Sequence, residues 1–415
     1  MKRRVAVIGG GASGLAAAVS AARAGAEVQI LERLPRVGKK LLLTGNGRCN
    51  LSHTPLSFSH YHGTVPQAAQ ILAQFDTADF FRSLGLLTRT DAEGRQYPYS
   101  MTAASVLDAL RLTAEQLGVQ TVCGCFVRQL VPSGNGWSIG CETAEGKTAF
   151  TADAVIAAAG GSAAPACGTD GSLLPLLGQL GHRIVKPLPA LCPVPVMSPV
   201  LRQLKGLRVR AAVSAIRGGS VLKSESGEVQ FTEQALSGIC VFNLSRLAAV
   251  YGRDLKLSLN LLPDFSSETL CALLRDLAVQ RGSLPAADLL TGLLSKRVGE
   301  VLLKSCGISP AARTGEAFSS EAAVTALAAR CQDWQFPVSG CASFSQAQVT
   351  AGGVSGQSVT RTLASKAQKN LWLCGELLDI DGDCGGYNLA WAWSSGVLAG
   401  AEAAANDLKR SGGQN

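Results

Sequence analysis

The stretch RVAVIGGGASGLAAAVSAARAGAEVQILE, from Arg4 to Glu32, decides the fold. Its opening RVAVI reads as a buried β-strand, Ala12–Ala24 as an alanine-rich helix closed by Gly25, and Glu27–Leu31 as the next strand. Between the first strand and the helix stands Gly9-Gly10-Gly11-Ala12-Ser13-Gly14, a G-x-G-x-x-G in the β-α-β setting that gives the motif its meaning. Gly9 permits the tight turn, Gly11 lets backbone approach a pyrophosphate, and Gly14 lets the helix pack closely on the strand. The positive end of the helix faces the phosphates. Glu32, at the end of the second strand, is placed to accept hydrogen bonds from both ribose hydroxyls, so FAD or NAD is expected there rather than NADP.

Working outward, apolar residues recur at helical spacing over 66–84 and 102–117, each run closed by a glycine, and two helices are expected. Short β-rich runs over 119–149 read as a hairpin ribbon, followed by a buried strand over 154–159 that ends in Gly160-Gly161. A proline-rich passage from Pro187 to Pro199 marks a change of character. Strands are expected at 209–216, 229–232 and 255–260, helix at 236–251, and a helical middle over about 266–330. Near Ala347 the α/β pattern resumes. The fold class is therefore α/β: a Rossmann-like domain in two parts, 1–186 and 346–415, interrupted by an inserted mixed β and helical domain over 187–345.

Composition agrees. Of 415 residues 47% are hydrophobic and 46 are glycine, which excludes a disordered chain and suits close packing with glycine-rich turns. Residues 1–50 carry nine bases against two acids, so nearly all of the net charge of +8 lies in the nucleotide-binding segment. That distribution matches a held pyrophosphate better than a nucleic-acid surface, so nucleic acid is not the expected partner. Thirteen cysteines without a framework of spacings point to reduced thiols and a cytoplasmic protein. No stretch reaches the ~18 apolar residues of a membrane span.

A flavin has to be held at its ring as well as at its phosphates, and two further glycine loops suit that need. Gly38-Lys39-Lys40 leads into Thr44-Gly45-Asn46-Gly47-Arg48-Cys49-Asn50, which joins bases to a glycine turn. Near the other end, Leu371-Trp372-Leu373-Cys374 reads as a strand that ends at the pair Gly375-Glu376, followed by Asp379, Asp381, Asp383, Cys384-Gly385-Gly386-Tyr387-Asn388-Leu389 and a small-residue helix. Amides at the start of that helix would stabilise negative charge on a ring in front of them.

These two loops together with the amino-terminal fingerprint resemble the BaiN-like FAD-dependent oxidoreductases, a family also called after aminoacetone oxidase. The resemblance spans both ends of the chain. It implies FAD contacts at Gly9, Gly11, Ala12, Ser13, Gly14, Glu32, Arg33, Lys39, Lys40, Thr44, Gly45, Asn46, Arg48, Cys49, Val127, Ala159, Gly160, Gly375, Glu376, Asn388 and Leu389, with Val127 a backbone partner for the adenine edge. It departs at Ala158-Ala159-Gly160, where related flavoproteins often carry threonine in the middle. The expected activity is hydride transfer between flavin and a small organic molecule, with NAD(P)H as a transient electron donor. The alternatives are an oxidase of a small amine using oxygen, and a flavoprotein acting on RNA.

Other signals carry less. The alternation Asp379, Asp381, Asp383 lacks the later residues of a calcium loop, and no metal is expected. Cys123 and Cys125 would share one face of a strand, but no second pair follows at zinc spacing. His53, His60 and His62 read as loop residues, Tyr387 as structural, and the basic stripe Arg202, Lys205, Arg208, Arg210, Arg217 as a charged edge. Cys49 and Cys384 are candidates for packing or flavin tuning more than for dithiol chemistry. No catalytic acid or base is legible.

Overall fold

The computed structural model describes residues 2–405. The chain divides into two compact units, one formed by the stretches up to Ala190 and from Phe344 onward, the other by Leu191–Ser343. Met1 and residues 406–415 of the expected outer stretches lie outside the described residues.

The first unit is built on a five-stranded parallel sheet. Across it run Leu371–Leu373, Ala154–Ala157, Arg4–Ile8 (β1), Glu27–Leu31 (β2) and Gln120–Val122. β1 and its neighbour Ala154–Ala157 are buried on both faces, which explains why they read as unbroken apolar runs rather than as alternating ones. The strand at 371–373 pairs with 154–157, so the carboxy-terminal part of the chain is stitched into the sheet that the amino terminus starts.

Helix α1 (Ala12–Arg23) and the carboxy-terminal helix Tyr387–Ala404 pack on that sheet and on each other. Their contact is made by residues with little or no side chain. A Cβ at Gly396 would stand 2.4 Å from the Ser13 carbonyl oxygen, and one at Gly400 2.2 Å from that of Ala17. Ser20 Oγ donates to the Val397 carbonyl at 2.8 Å and pins the two axes.

Several elements differ from expectation for identifiable reasons. The helix expected over 66–84 is two short helices, Ala68–Ala73 and Thr77–Arg82, because Asp76 accepts from the Asp79 amide and starts a new one. Residues 120–122 leave the ribbon and take the edge of the parallel sheet beside β2, while Phe126–Ser133, Gly136–Thr143 and Gly146–Ala152 form the antiparallel ribbon. The turn at Gly124, with φ +68, separates Cys123 from Cys125, so one is exposed and the other buried instead of both sharing a face.

The boundaries differ as well. Residues 187–190 belong to the strand Ile184–Ala190, which pairs antiparallel with Val349–Val354 in the first unit. Proline there does not end the domain, because this two-stranded pair has edges where a missing N–H costs nothing.

The second unit carries a six-stranded antiparallel sheet ordered Val194–Pro195, Ala235–Ser237, Ser220–Phe231, Arg208–Arg217, Leu255–Asn260, Trp334–Pro337. Its helices are Ile239–Tyr251, Ser267–Gln280, Lys296–Ser305 and Glu321–Gln332, with shorter turns between. The expected strand at 229–232 is the end of a twelve-residue strand, and residues 235–237 are strand, not helix, because Gly238 turns the chain first. Three of the five bases of the stripe are paired by acids from neighbouring elements: Lys205 with Glu233 and Arg208 with Glu228, both at 2.8 Å, and Arg217 with Asp254 at 4.0 Å.

Because the two terminal helices touch through backbone, Gly400→Val is expected to lower stability by ~1–3 kcal/mol. Ala401→Ser, on the exposed side of the same turn, should change it by less than ~0.5 kcal/mol. Urea unfolding followed by circular dichroism measures both.

Candidate functional site

The fingerprint glycines are each held by a contact. At Gly9, with φ +103, a Cβ would lie 2.6 Å from the Ala158 carbonyl oxygen, and at Gly14 1.9 Å from that of Gly9. Around the Cβ position of Gly11 there is no heavy atom within 4 Å, so this residue opens on free space. It is also the residue before α1, and no side chain caps the helix there. The first-turn amides, which have no acceptor within a helix, are thereby left for an anion.

Glu32 is buried and doubly held: Oε2 accepts from the Gly10 amide at 2.7 Å and Oε1 from the Leu34 amide at 2.8 Å. Each oxygen keeps lone-pair capacity for a hydroxyl in front of it. Beside it, the Arg33 guanidinium lies 4.2 Å from the centre of the Phe126 ring and pairs with Asp170 at 2.6 Å. Partial burial pushes the Asp170 carboxyl up, but hydrogen bonds from Arg33 and Ser172 and the nearby positive charge outweigh it and hold the group below the usual range.

At the middle of the same cleft Lys40 Nζ pairs with Glu376 Oε2 at 2.8 Å, while Glu376 Oε1 accepts from the Thr350 amide at 3.0 Å. A base read in the first glycine loop and an acid read in the last one are therefore direct partners. Gly375, with φ +69, packs where a Cβ would meet Ser13 Oγ at 2.3 Å, so the late strand end abuts the first turn of α1. Its amide donates to Ser395 Oγ and its carbonyl accepts from Trp391 Nε1, both at 3.0 Å. Asn388 clamps the preceding loop, accepting from the Gly382 amide at 2.9 Å and donating to its carbonyl at 2.7 Å.

One cleft gathers most of the expected residues. Gly9, Gly11, Ala12, Ser13, Glu32, Arg33, Lys39, Lys40, Thr44, Val127, Ala159, Gly160, Glu376, Asn388 and Leu389 all line it. The space between these walls, open mouth included, is about 1320 Å³. Six others are off its wall. Gly14 and Gly375 act by packing; Gly45, Asn46 and Arg48 are exposed, with the Arg48 guanidinium over the Tyr97 ring. Cys49 is fully buried in the core around α1, and burial pushes its thiol up to about 12.

The sequence reading missed the segment Cys167–Leu173 and the pair Gln348–Val349, which also line the cleft. The Gly168-Thr169-Asp170-Gly171 turn was the available signal for the first. Missed too was the gathering of His53, His60 and His62 around the late loop. His60 Nδ1 and His62 Nε2 lie 3.1 and 3.3 Å from the two oxygens of the buried Asp383. The Tyr387 ring stacks with both His60 and His53. Among the described residues no group of three or more His, Cys, Asp or Glu is arranged to hold a metal ion, and no helix is long and apolar enough to cross a membrane.

An uncapped helix start, a doubly anchored ribose carboxylate and a cleft completed by a late glycine-acid loop fit FAD, and the chain is an FAD-dependent oxidoreductase. The family described as HI0933-like protein Rossmann domain matches residues 3–402, and the chain belongs to it; the expected BaiN-like membership is thereby met. It is 38% identical over 414 residues, covering 97% of this chain and 99% of the relative, to a 3-dehydro-bile acid delta(4,6)-reductase of Clostridium scindens. It is 28% identical to a ribosomal RNA dihydrouridine synthase of Escherichia coli, covering 94% and 95% of the two chains. Among solved structures, a 3-ketosteroid delta1-dehydrogenase from Sterolibacterium denitrificans shares the fold at a TM-score of 0.50 and 11% identity, over 96% of this chain and 99% of that one.

With its thiol pushed to about 12, Cys49 has about one molecule in ten thousand ionised at pH 8. Iodoacetamide at that pH is expected to label the exposed Cys341 and leave Cys49 and the equally buried Cys374 unlabelled until the protein is unfolded, as read by peptide mass spectrometry.

Proposed function

We propose that this chain is a nicotinamide-linked reductase that saturates a carbon–carbon double bond conjugated to a carbonyl in a small, largely apolar molecule. The observation that carries this reading is the full-length relation to a bile acid delta(4,6)-reductase. The more distant relative, named for dihydrouridine, supports the same reaction type, since the uridine double bond it would saturate is also conjugated to a carbonyl. FAD bound in the cleft supplies the hydride, received from NADH or NADPH.

In this reading the chain's residues bind and orient. The α1 amides at Gly11, Ala12 and Ser13 take the pyrophosphate, Glu32 the adenosine ribose, and the Val127 backbone the adenine edge. The Lys40–Glu376 pair neutralises itself while holding the two glycine loops together, so that Glu376 stays placed for ribityl or phosphate contacts. Asn388 and Leu389 lie in the first turn of the carboxy-terminal helix, whose free amides would stabilise negative charge on the ring of a bound flavin as it is reduced.

The RNA reading has a specific observation in the Escherichia coli relative, but the stripe that would hold phosphates is paired with acids at Lys205, Arg208 and Arg217. The amine oxidase reading has no specific observation in its favour. Anaerobic mixing of the yellow protein with NADH or NADPH is expected to bleach the visible flavin bands, and a conjugated steroid enone to restore them. Reoxidation by oxygen with an amine as donor, or failure of both nicotinamides and every enone, would overturn the reading. A Glu32→Ala variant should bind FAD about 10–100-fold more weakly by fluorescence titration, as expected for loss of hydrogen bonds to a charged acceptor.

A further inference from the structure

Three of the chain's four histidines meet at one place, although the last element they meet is more than 300 residues away. The organising group is Asp383, a buried carboxylate that spends one oxygen on each of two imidazoles. Its amide also donates to the His60 carbonyl at 2.9 Å, so backbone and side chain fix the same partner. The Tyr387 ring lies nearly parallel to that of His60, with centroids 4.5 Å apart and planes 22° apart, and Tyr61 donates to the Tyr387 carbonyl at 2.8 Å. His60 thus has its ring plane set by stacking and its Nδ1 edge set by a carboxylate.

The cluster's own side chains are not on the cleft's wall, but it adjoins the cleft through the chain segments that carry it. Tyr387 immediately precedes Asn388 and Leu389 on its wall, and the strand Tyr61–Gly63 pairs with Ile380–Gly382, whose first residue also lines it. The two residues before the helix are glycines, and a Cβ at Gly385 would lie 3.1 Å from the Tyr387 ring and 3.7 Å from that of His53. Of the two imidazoles on Asp383, His60 has the more open side chain, 43% exposed against 30% for His62, and its Nε2 edge has no protein partner among the described residues. Tyr387 is the poorer acid, since burial and the charge of Asp383 push its phenol up.

Saturating a conjugated double bond needs a hydride at the β carbon and a proton at the α carbon. We propose that His60, held by Asp383 and stacked on Tyr387, delivers that proton from Nε2. This rests on the reductase reading above. In the step, the hydride from reduced flavin forms the C–H bond at the β carbon, the C=C pair passes to the α carbon, and the His60 Nε2–H bond breaks as the α C–H bond forms. The neutral imidazole left behind keeps its Nδ1–H on Asp383 and regains its proton from solvent. His62 and Asp383 are positioning residues.

The test uses flavin-loaded protein reduced anaerobically, by nicotinamide or by dithionite, and mixed in a single turnover with a conjugated enone across a pH series. The titratable groups around His60 are Asp383 and Tyr387, which touch its ring, His53, which stacks on Tyr387, and Tyr61 and His62 in its own segment. Wild-type reoxidation should slow as pH rises through the imidazole range, and His60→Gln should slow it about 10²–10⁴-fold and remove that dependence. A second readout needs no turnover: with ¹⁵N-histidine, neutral His60 should show the Nδ1–H tautomer, and Asp383→Asn should abolish that preference.

A flat wild-type profile, or a His60→Gln variant that reoxidises at the wild-type rate, overturns the proton donor and leaves the reductase reading standing. If no enone reoxidises the wild-type flavin at any pH, the reductase reading fails and takes the proposal with it. If His60→Gln does not fold, the wild-type profile and the tautomer decide the matter.

Discussion

The structure depends on a backbone-to-backbone contact between its two ends. Helix α1 and the carboxy-terminal helix approach so closely that Gly396 and Gly400 have no room for a methyl group against the Ser13 and Ala17 carbonyls. That approach presses Gly375 onto Ser13 and keeps the strand at 371–373 beside 154–157 in the sheet. Without it the late loop would have no reason to stand over the first glycine turn. The cleft thus rests on close approach at Gly375, Gly396 and Gly400, against Ser13 and Ala17.

On that frame the electrostatics are arranged to leave capacity facing inward. Glu32 is satisfied by two amides yet keeps lone pairs for a ligand, and the α1 start is left uncapped. Lys40 and Glu376 neutralise one another across the cleft, so the surplus of charge in the first fifty residues is smaller in space than it is in sequence. The basic stripe of the second unit shows the same effect, since its acids come from the neighbouring strand and loops. Counting charges along a chain finds the bases; only pairing in space shows which of them are spent.

The histidine cluster makes a related point about distance. His53, His60 and His62 carry no spacing that a ligand set or a catalytic motif would require, and each alone is an ordinary loop residue. Asp383 gives them a shared purpose by lying, buried, between two of them. A carboxylate inside the protein favours imidazoles that stay in one orientation, which is the property a proton-transfer group needs.

Residue order alone determined the β-α-β unit, its phosphate turn and the acid at its end, because these depend on neighbours within about thirty residues and on glycine's lack of a side chain. It also announced two outer parts around an insert, and through its glycine loops it named fifteen of the residues that line the cleft. Only the tertiary structure decided that Cys49 is core rather than cleft, that Cys123 and Cys125 face apart across Gly124, that residues 187–190 belong with the first unit, and that Lys40 meets Glu376. Each of those turns on packing or pairing between segments far apart in the chain, or on one glycine's positive φ, and neither periodicity nor composition carries that information.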